Sequence, residues 1–249
     1  MNPTHSHPTR SERGFWALFV TQFQGAFSDN VYRTLATFLF IGMALPGSDL
    51  SREARMALVG ALFALPFVLF SMAGGYLADR YSKRTVTIGT KVAEIVIMCG
   101  ALVALAFGEP VLLLTTVFFM GAQSAFFGPS KYGLMPELLP EKRLSWGNGL
   151  LELGTFLAII TGTIGGGWLF EQFKGSHWWA GIVLIGLAAC GTVTSLGIDR
   201  VPAADPAKRF AFNPFADLFR QVGVIRRDRV LMLAVLGNTY FFFVAALIQ

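Results

Sequence analysis

An all-α integral membrane protein is predicted by three features of this 249-residue sequence. Hydrophobic residues make up 54% of it and charged residues only 14%, a balance outside that of ordinary soluble domains. The apolar residues gather into runs of about 20, enough helix to cross a hydrocarbon layer about 30 Å thick. Charge and turn residues concentrate between the runs, most densely from Gly75 to Arg84, as in the connections of a helical membrane bundle.

Taken in order, the chain opens on a polar leader, residues 1–14. This is not a cleavable signal, because the apolar run behind it is too long and lacks a small-residue cleavage site; that run is itself the membrane signal. His5 and His7 in the leader have no further ligands beside them, so neither a metal nor another cofactor is expected. Apolar runs predict helices near residues 15–44, 56–78, 85–107, 110–130, 147–170 and 178–197, a bundle of six complete spans over residues 15–197. Residues 198–229 form the one long connection, and a seventh helix begins at 230 and runs to 249, the start of a second bundle. Within the connection, Asn213 and Pro214 are a helix-start signal, and Phe215, Leu218, Phe219, Val222 and Ile225 recur at helical spacing. They predict an amphipathic helix that lies on the inner leaflet or against the protein's own ends. Cys99 and Cys190 fall inside predicted helices 3 and 6, where a small apolar residue packs well. All five tryptophans fall at predicted helix ends and serve as interface anchors.

Orientation follows from the bases. Arg10, Arg13, Arg80, Lys83, Arg84, Lys131, Lys142, Arg143 and the bases of residues 198–229 fall on one side, against Arg52, Arg55 and Lys174 on the other. Basic connections stay in the cytoplasm, so the N-terminus is expected there. The net charge of +5 is explained by anionic lipid headgroups, and no nucleic-acid partner is implied.

Polar residues at membrane depth are costly and mark the candidate site. The first helix carries Gln22, Gln24, Asp29, Asn30 and Arg33, with Asp29 and Arg33 at i, i+4 and able to pair. Lys91 and Glu94 share a face of the third helix at i, i+3, Gln123 lies on the fourth, and Asn148 and Glu152 are one turn apart on the fifth. Two roles are open to them: bracing the bundle through buried pairs, or binding a polar or zwitterionic headgroup or a coupling ion.

The segment Gly75-Tyr76-Leu77-Ala78-Asp79-Arg80-Tyr81-Ser82-Lys83-Arg84 resembles the loop between helices 2 and 3 of the major facilitator superfamily, with Ser82 where glycine is usual. The resemblance implies a gating loop in which Gly75 allows close helix approach and Asp79 pairs with a base or a helix N-terminus. It also implies a fold: the N-terminal six-helix half of a major facilitator, built of two inverted three-helix repeats, plus the start of helix 7, so that the chain is a fragment.

A narrower resemblance, to the bacterial lysophospholipid transporter family, rests on Phe27-Ser28-Asp29-Asn30 and on Pro129-Ser130-Lys131-Tyr132-Gly133, which looks like that family's loop after helix 4. Asn148-Gly149-Leu150-Leu151-Glu152 and the small-residue run Gly162 to Gly167 follow in the family's order. Arg33 and Lys91-x-x-Glu94-Ile95 look more like long members fused to a phospholipid acyltransferase. That enzyme's His-x-x-x-x-Asp motif does not occur in these residues; the near miss is His7 with Glu12.

The resemblance implies a transporter rather than an enzyme. It would move lysophosphatidylethanolamine or lysophosphatidylglycerol across the bacterial inner membrane by alternating access, for reacylation. Its partners would be the lysophospholipid, the membrane lipids and a fused or cooperating acyltransferase. The phosphate would need a base such as Arg33 or Lys91, and the amine an acid such as Asp29 or Glu94. A facilitator that exports drugs or small metabolites, and a membrane anchor that docks lipid for a fused enzyme without moving it, are the alternatives.

Overall fold

The apolar runs fold as helices in the computed structural model, which describes residues 12–43, 50–208, 223 and 226–248. The helices are α1 (Glu12–Gly42), α2 (Arg52–Arg80), α3 (Lys83–Phe107), α4 (Pro110–Leu138), α5 (Leu144–Gln172), α6 (Trp178–Leu196) and α7 (Arg229–Ile248), with one 3-10 turn at Glu141–Arg143. The chain divides into two units, Met1–Lys208 and Arg209–Gln249. In the second, Asp228 opens α7 by accepting from the backbone N–H of Val230 at 2.9 Å and of Leu231 at 3.1 Å. The amphipathic helix expected at 213–225 lies outside the described residues except at Gly223.

Among the described residues, α2 to α6 are long and apolar enough to cross a membrane. The first predicted span, α1, is not among them, since its middle carries the polar set Gln22, Gln24, Asp29, Asn30 and Arg33. It is instead enclosed by α2, α4, α5 and α6, so these groups meet protein rather than lipid. Several helices also run beyond their apolar cores. α4 continues to Leu138, where the sequence predicts an end near 130, and Pro129 and Pro136 lie inside it. The residues expected to form a loop after helix 4 therefore lie within its last three turns.

The packing repeats itself. α1 lies most extensively along α5, and α2 along α4 to the same extent; α3 packs on α4 and α6, and α6 on α1. This pattern is unchanged when α1 exchanges with α4, α2 with α5 and α3 with α6, as two three-helix repeats require. Between lipid-facing helices small residues supply the contact. A Cβ on Gly162 would stand 2.6 Å from the Phe27 carbonyl oxygen, and one on Gly166 2.5 Å from that of Val31, so α5 sits directly on the backbone of α1. On the other pair, Gly121 sits on the Phe63 carbonyl and Gly74 meets Ala125, whose oxygen a Cβ would approach to 2.9 Å. Pro129 has no N–H to give the Ala125 carbonyl four residues back, and the oxygen left free in α4 is the one Gly74 covers. Gly75, the glycine expected to allow close approach, has open space at its Cβ position, so the role falls to its neighbour one residue earlier.

Two apolar cores fill the first unit. One is built around Tyr32, Leu35, Met98, Leu113, Met120 and Leu184, and the other around Phe15, Leu18, Leu134, Met135, Leu151, Ile198 and Val201. The second includes residues beyond α6, which return to cover the start of α1. There the Asp199 carboxylate lies against Gly14 in the first turn of α1, an electropositive helix end. At the opposite end, Arg55 donates to the carbonyls of Phe40, Ile41 and Met43 at 3.1, 3.2 and 2.7 Å and closes the C-terminus of α1. Cys99 and Cys190 lie within α3 and α6 as expected, but their side chains are exposed rather than packed.

Candidate functional site

Three clusters of polar side chains and one clasp emerge from this packing. The first joins α1 to α4. Asp29 is buried, and its Oδ2 accepts from the Ser124 hydroxyl at 2.6 Å and its Oδ1 from Gln123 Nε2 at 3.3 Å. Arg33 donates through Nη2 to Asn30 Oδ1 at 2.8 Å and lies over the Phe63 ring, while Asn30 is itself anchored on the Ala26 carbonyl at 2.7 Å. The pairing expected between Asp29 and Arg33 is thus replaced. α4 offers the carboxylate two donors that the spacing within α1 cannot reveal, and Asn30, one turn below Arg33, holds the guanidinium.

The second cluster joins α1, α3 and α6. Lys91 Nζ pairs with Glu94 Oε2 at 2.6 Å, as the i, i+3 spacing predicts, and donates to Gln24 Oε1 at 2.7 Å; Gln24 Nε2 returns a bond to Glu94 Oε1 at 3.2 Å. Thr192 of α6 donates to the Lys91 carbonyl at 3.1 Å, and Gly191 leaves the space that the Gln24 amide fills. Lys91 and Glu94 are 2% and 0% exposed. Every charge in this triad is matched and walled off, which suits bracing better than contact with a solute.

The third cluster lies near the end of α4. Glu152 of α5 accepts from the Tyr132 hydroxyl at 2.7 Å, and Lys131 Nζ stands 4.4 Å from the centre of the Tyr132 ring. Lys131 is only 8% exposed, yet among the described residues no acceptor holds its ammonium group. A buried cation whose neighbours are a ring face and a carboxylate already engaged by Tyr132 can take an anionic oxygen at little cost. Asn148 is exposed and does not join Glu152.

Along the bundle axis these residues form a column. Ser124 and Lys131 are seven residues apart, on one face of α4 and about 10 Å apart in height. α1 runs the other way, so Arg33 stands one turn beyond Asp29 on the side away from Lys131. Base, acid and base follow one another: Lys131, Asp29, Arg33.

The clasp gathers at the α2–α3 turn. Asp79 Oδ2 accepts from Lys208 Nζ at 2.6 Å, and its backbone carbonyl accepts from the Asp205 N–H at 2.8 Å. Arg80 bonds Tyr76, Lys83 pairs with Glu137 at the end of α4 across the space left by Gly133, and Arg84 donates to the carbonyls of Ile198 at 2.6 Å and Leu196 at 2.9 Å. The turn is tied at once to α4 and to the segment that follows α6. Ser124, Glu137 and Lys208 complete these clusters, with partners on other elements that sequence spacing does not reveal.

Comparison with known proteins agrees with this architecture. A family model described as Major Facilitator Superfamily matches residues 16–249. Proteins named lysophospholipid transporter LplT are similar: that of Cronobacter sakazakii is 32% identical over 208 residues, 83% of this chain and 48% of the relative. Those of Klebsiella pneumoniae and Serratia proteamaculans are each 30% identical, over 95% and 97% of this chain and 56% and 57% of the relative. The chain spans about half the length of the curated relatives it matches. Among solved structures, a POT family transporter in complex with 5-aminolevulinic acid matches with a TM-score of 0.62 at 19% identity, covering 95% of this chain and 49% of that one, a likeness of fold.

Proposed function

The chain belongs to the major facilitator superfamily, and from that premise we propose that it forms part of a transporter that carries lysophospholipids across the bacterial inner membrane by alternating access, with its N-terminus in the cytoplasm. The observation that carries this reading is the column of Lys131, Asp29 and Arg33. A lysolipid headgroup presents a phosphate and, in lysophosphatidylethanolamine, an amine; a carboxylate flanked by two cations matches that pair from either side of the midplane. The names of the relatives support the same substrate class. Asn30 orients Arg33, Gln123 and Ser124 orient Asp29, and Glu152 fixes the Tyr132 ring over which Lys131 stands. The buried triad of Gln24, Lys91 and Glu94 holds α1, α3 and α6 together as the headgroup passes.

The test is transbilayer movement of labelled lysophosphatidylethanolamine in vesicles that hold the full-length protein. Asp29→Asn and Lys131→Met should each slow it about tenfold or more, the loss of one charge-assisted hydrogen bond, while folded yield is kept. Wild-type protein that leaves the lysolipid in place but exports a polar solute would favour a small-molecule facilitator. Wild-type protein that binds the lysolipid without moving it would favour a docking module.

Orientation has its own measurement. With Cys99 and Cys190 replaced by serine, single cysteines at Ser82 and Ser145 should stay unlabelled by an impermeant thiol reagent on intact cells, and one at Ser176, beside Lys174, should react. Labelling at Ser82 from outside would reverse the proposed topology.

A further inference from the structure

α2 and α3 are joined by only two residues, Tyr81 and Ser82, yet beyond that turn they touch little, because both pack on α4 instead. They diverge and leave a groove of about 370 Å³ between them, with α4 as its floor. Its walls are Leu77 of α2 and Val86, Gly89 and Ile97 of α3; Phe119 and Phe126 lie at its base. Gln123 also reaches the floor, but its amide is turned to Asp29 and Ser124, so the surface on offer is apolar.

Three properties identify what fills it. From Val86 to Ile97 the groove follows α3 for eleven residues, about 16 Å, which is the depth of one leaflet. It opens sideways: Phe119 is 52% exposed, and Val92 and Val96, which neighbour the groove-lining Ala93 and Ile97 on α3, are exposed as well. A cation follows its end, since Arg80, the last residue of α2, stands one turn beyond Leu77. Lys83 is held by Glu137 and Arg84 by two backbone carbonyls, whereas the hydrogen bonds described for Arg80 use Nη1 alone. Its Nε and Nη2 can meet a phosphate.

We propose that this groove is a binding site for a resident diacyl phospholipid of the leaflet at the α2–α3 turn, with one acyl chain along α3 and the phosphate on Arg80. The occupant is distinct from the transported molecule, because the groove lies on the far side of Gln123 from Asp29 and the acid beside its mouth, Asp79, is already paired with Lys208.

The full-length protein, reconstituted with phosphatidylglycerol carrying a diazirine midway along one acyl chain, tests this by irradiation and mapping of the adducts. Labelling should concentrate on peptides with Gly89, Ile97 and Phe119, several-fold above Ile164 and Val193, apolar residues outside the groove that are each 67% exposed. A Cβ at Gly89 meets nothing within 4 Å, so a side chain can start there, and Gly89→Leu and the larger Gly89→Trp should occupy the groove and abolish the labelling. Arg80→Gln should lower it about tenfold, by loss of the charged bond to phosphate. Equal labelling at Ile164 and Val193, or labelling that persists in folded Gly89→Leu, would overturn the proposal. So would displacement of the probe by lysophosphatidylethanolamine at lower concentration than by diacyl lipid, which would make the groove part of the transport path.

Discussion

Lys91→Met should destabilise the folded protein by about 3 to 5 kcal/mol, the cost of leaving one member of a buried ion pair without its partner. Glu94 is fully enclosed, and without Lys91 its remaining contact is the Gln24 amide at 3.2 Å. Thermal unfolding of the full-length protein in detergent measures the loss, and the double variant Lys91→Met with Glu94→Leu decides its meaning. Replacing both charges by apolar groups of similar size removes the orphan as well as the bond, so stability should return to near the wild-type value. Return of transport along with stability is the expected result and would identify the triad as bracing between α1, α3 and α6. Return of stability without transport would place these residues in the transport cycle instead.

The second large effect is on rate. Asp79→Ala should reduce turnover severely while substrate binding and folded yield change little. Asp79 and Lys208 are 44% and 39% exposed, so their bond contributes only about 0.2 to 1 kcal/mol to stability, and a defect in transport cannot be attributed to unfolding. What the bond does is tie the α2–α3 turn to the segment after α6, beside the bonds from Arg84 to Leu196 and Ile198. Lys208→Ala should reproduce the defect if that tie is what matters. Transport at the wild-type rate in Asp79→Ala would reduce the clasp to a charged connection.

Local features were legible in the sequence, and features made by two helices were not. The apolar runs located the helices, and Lys91 with Glu94 pair as their spacing within one helix predicts. Asp29 and Arg33 had an equally good spacing, but the outcome was decided by Gln123 and Ser124 on α4, which compete for the carboxylate. Gly74 and Gly75 are indistinguishable as letters; which one meets α4 depends on the rotation of α2 about its axis. Pro129 and Gly133 resemble loop chemistry, yet a helix that runs past the membrane accommodates both, the proline because a neighbour covers the carbonyl it leaves and the glycine because Lys83 needs its space. The candidate site was therefore readable as a set of residue types, while the column that orders Lys131, Asp29 and Arg33 required the antiparallel course of α1 and α4.

The seam between α1 and α5 sets how the bundle can move. Gly154 faces Phe19, Gly162 faces Phe27 and Gly166 faces Val31, and along all three the register is constant, the two helices advancing together. Notches at this spacing do not permit smooth sliding, because a shift of an ångström or two drives a Cβ or a side chain into a carbonyl. The neighbouring seat lies a full helical turn away, about 5.4 Å. The seam therefore has discrete seats, and α1 and α5 move as one piece unless one advances a full turn along the other.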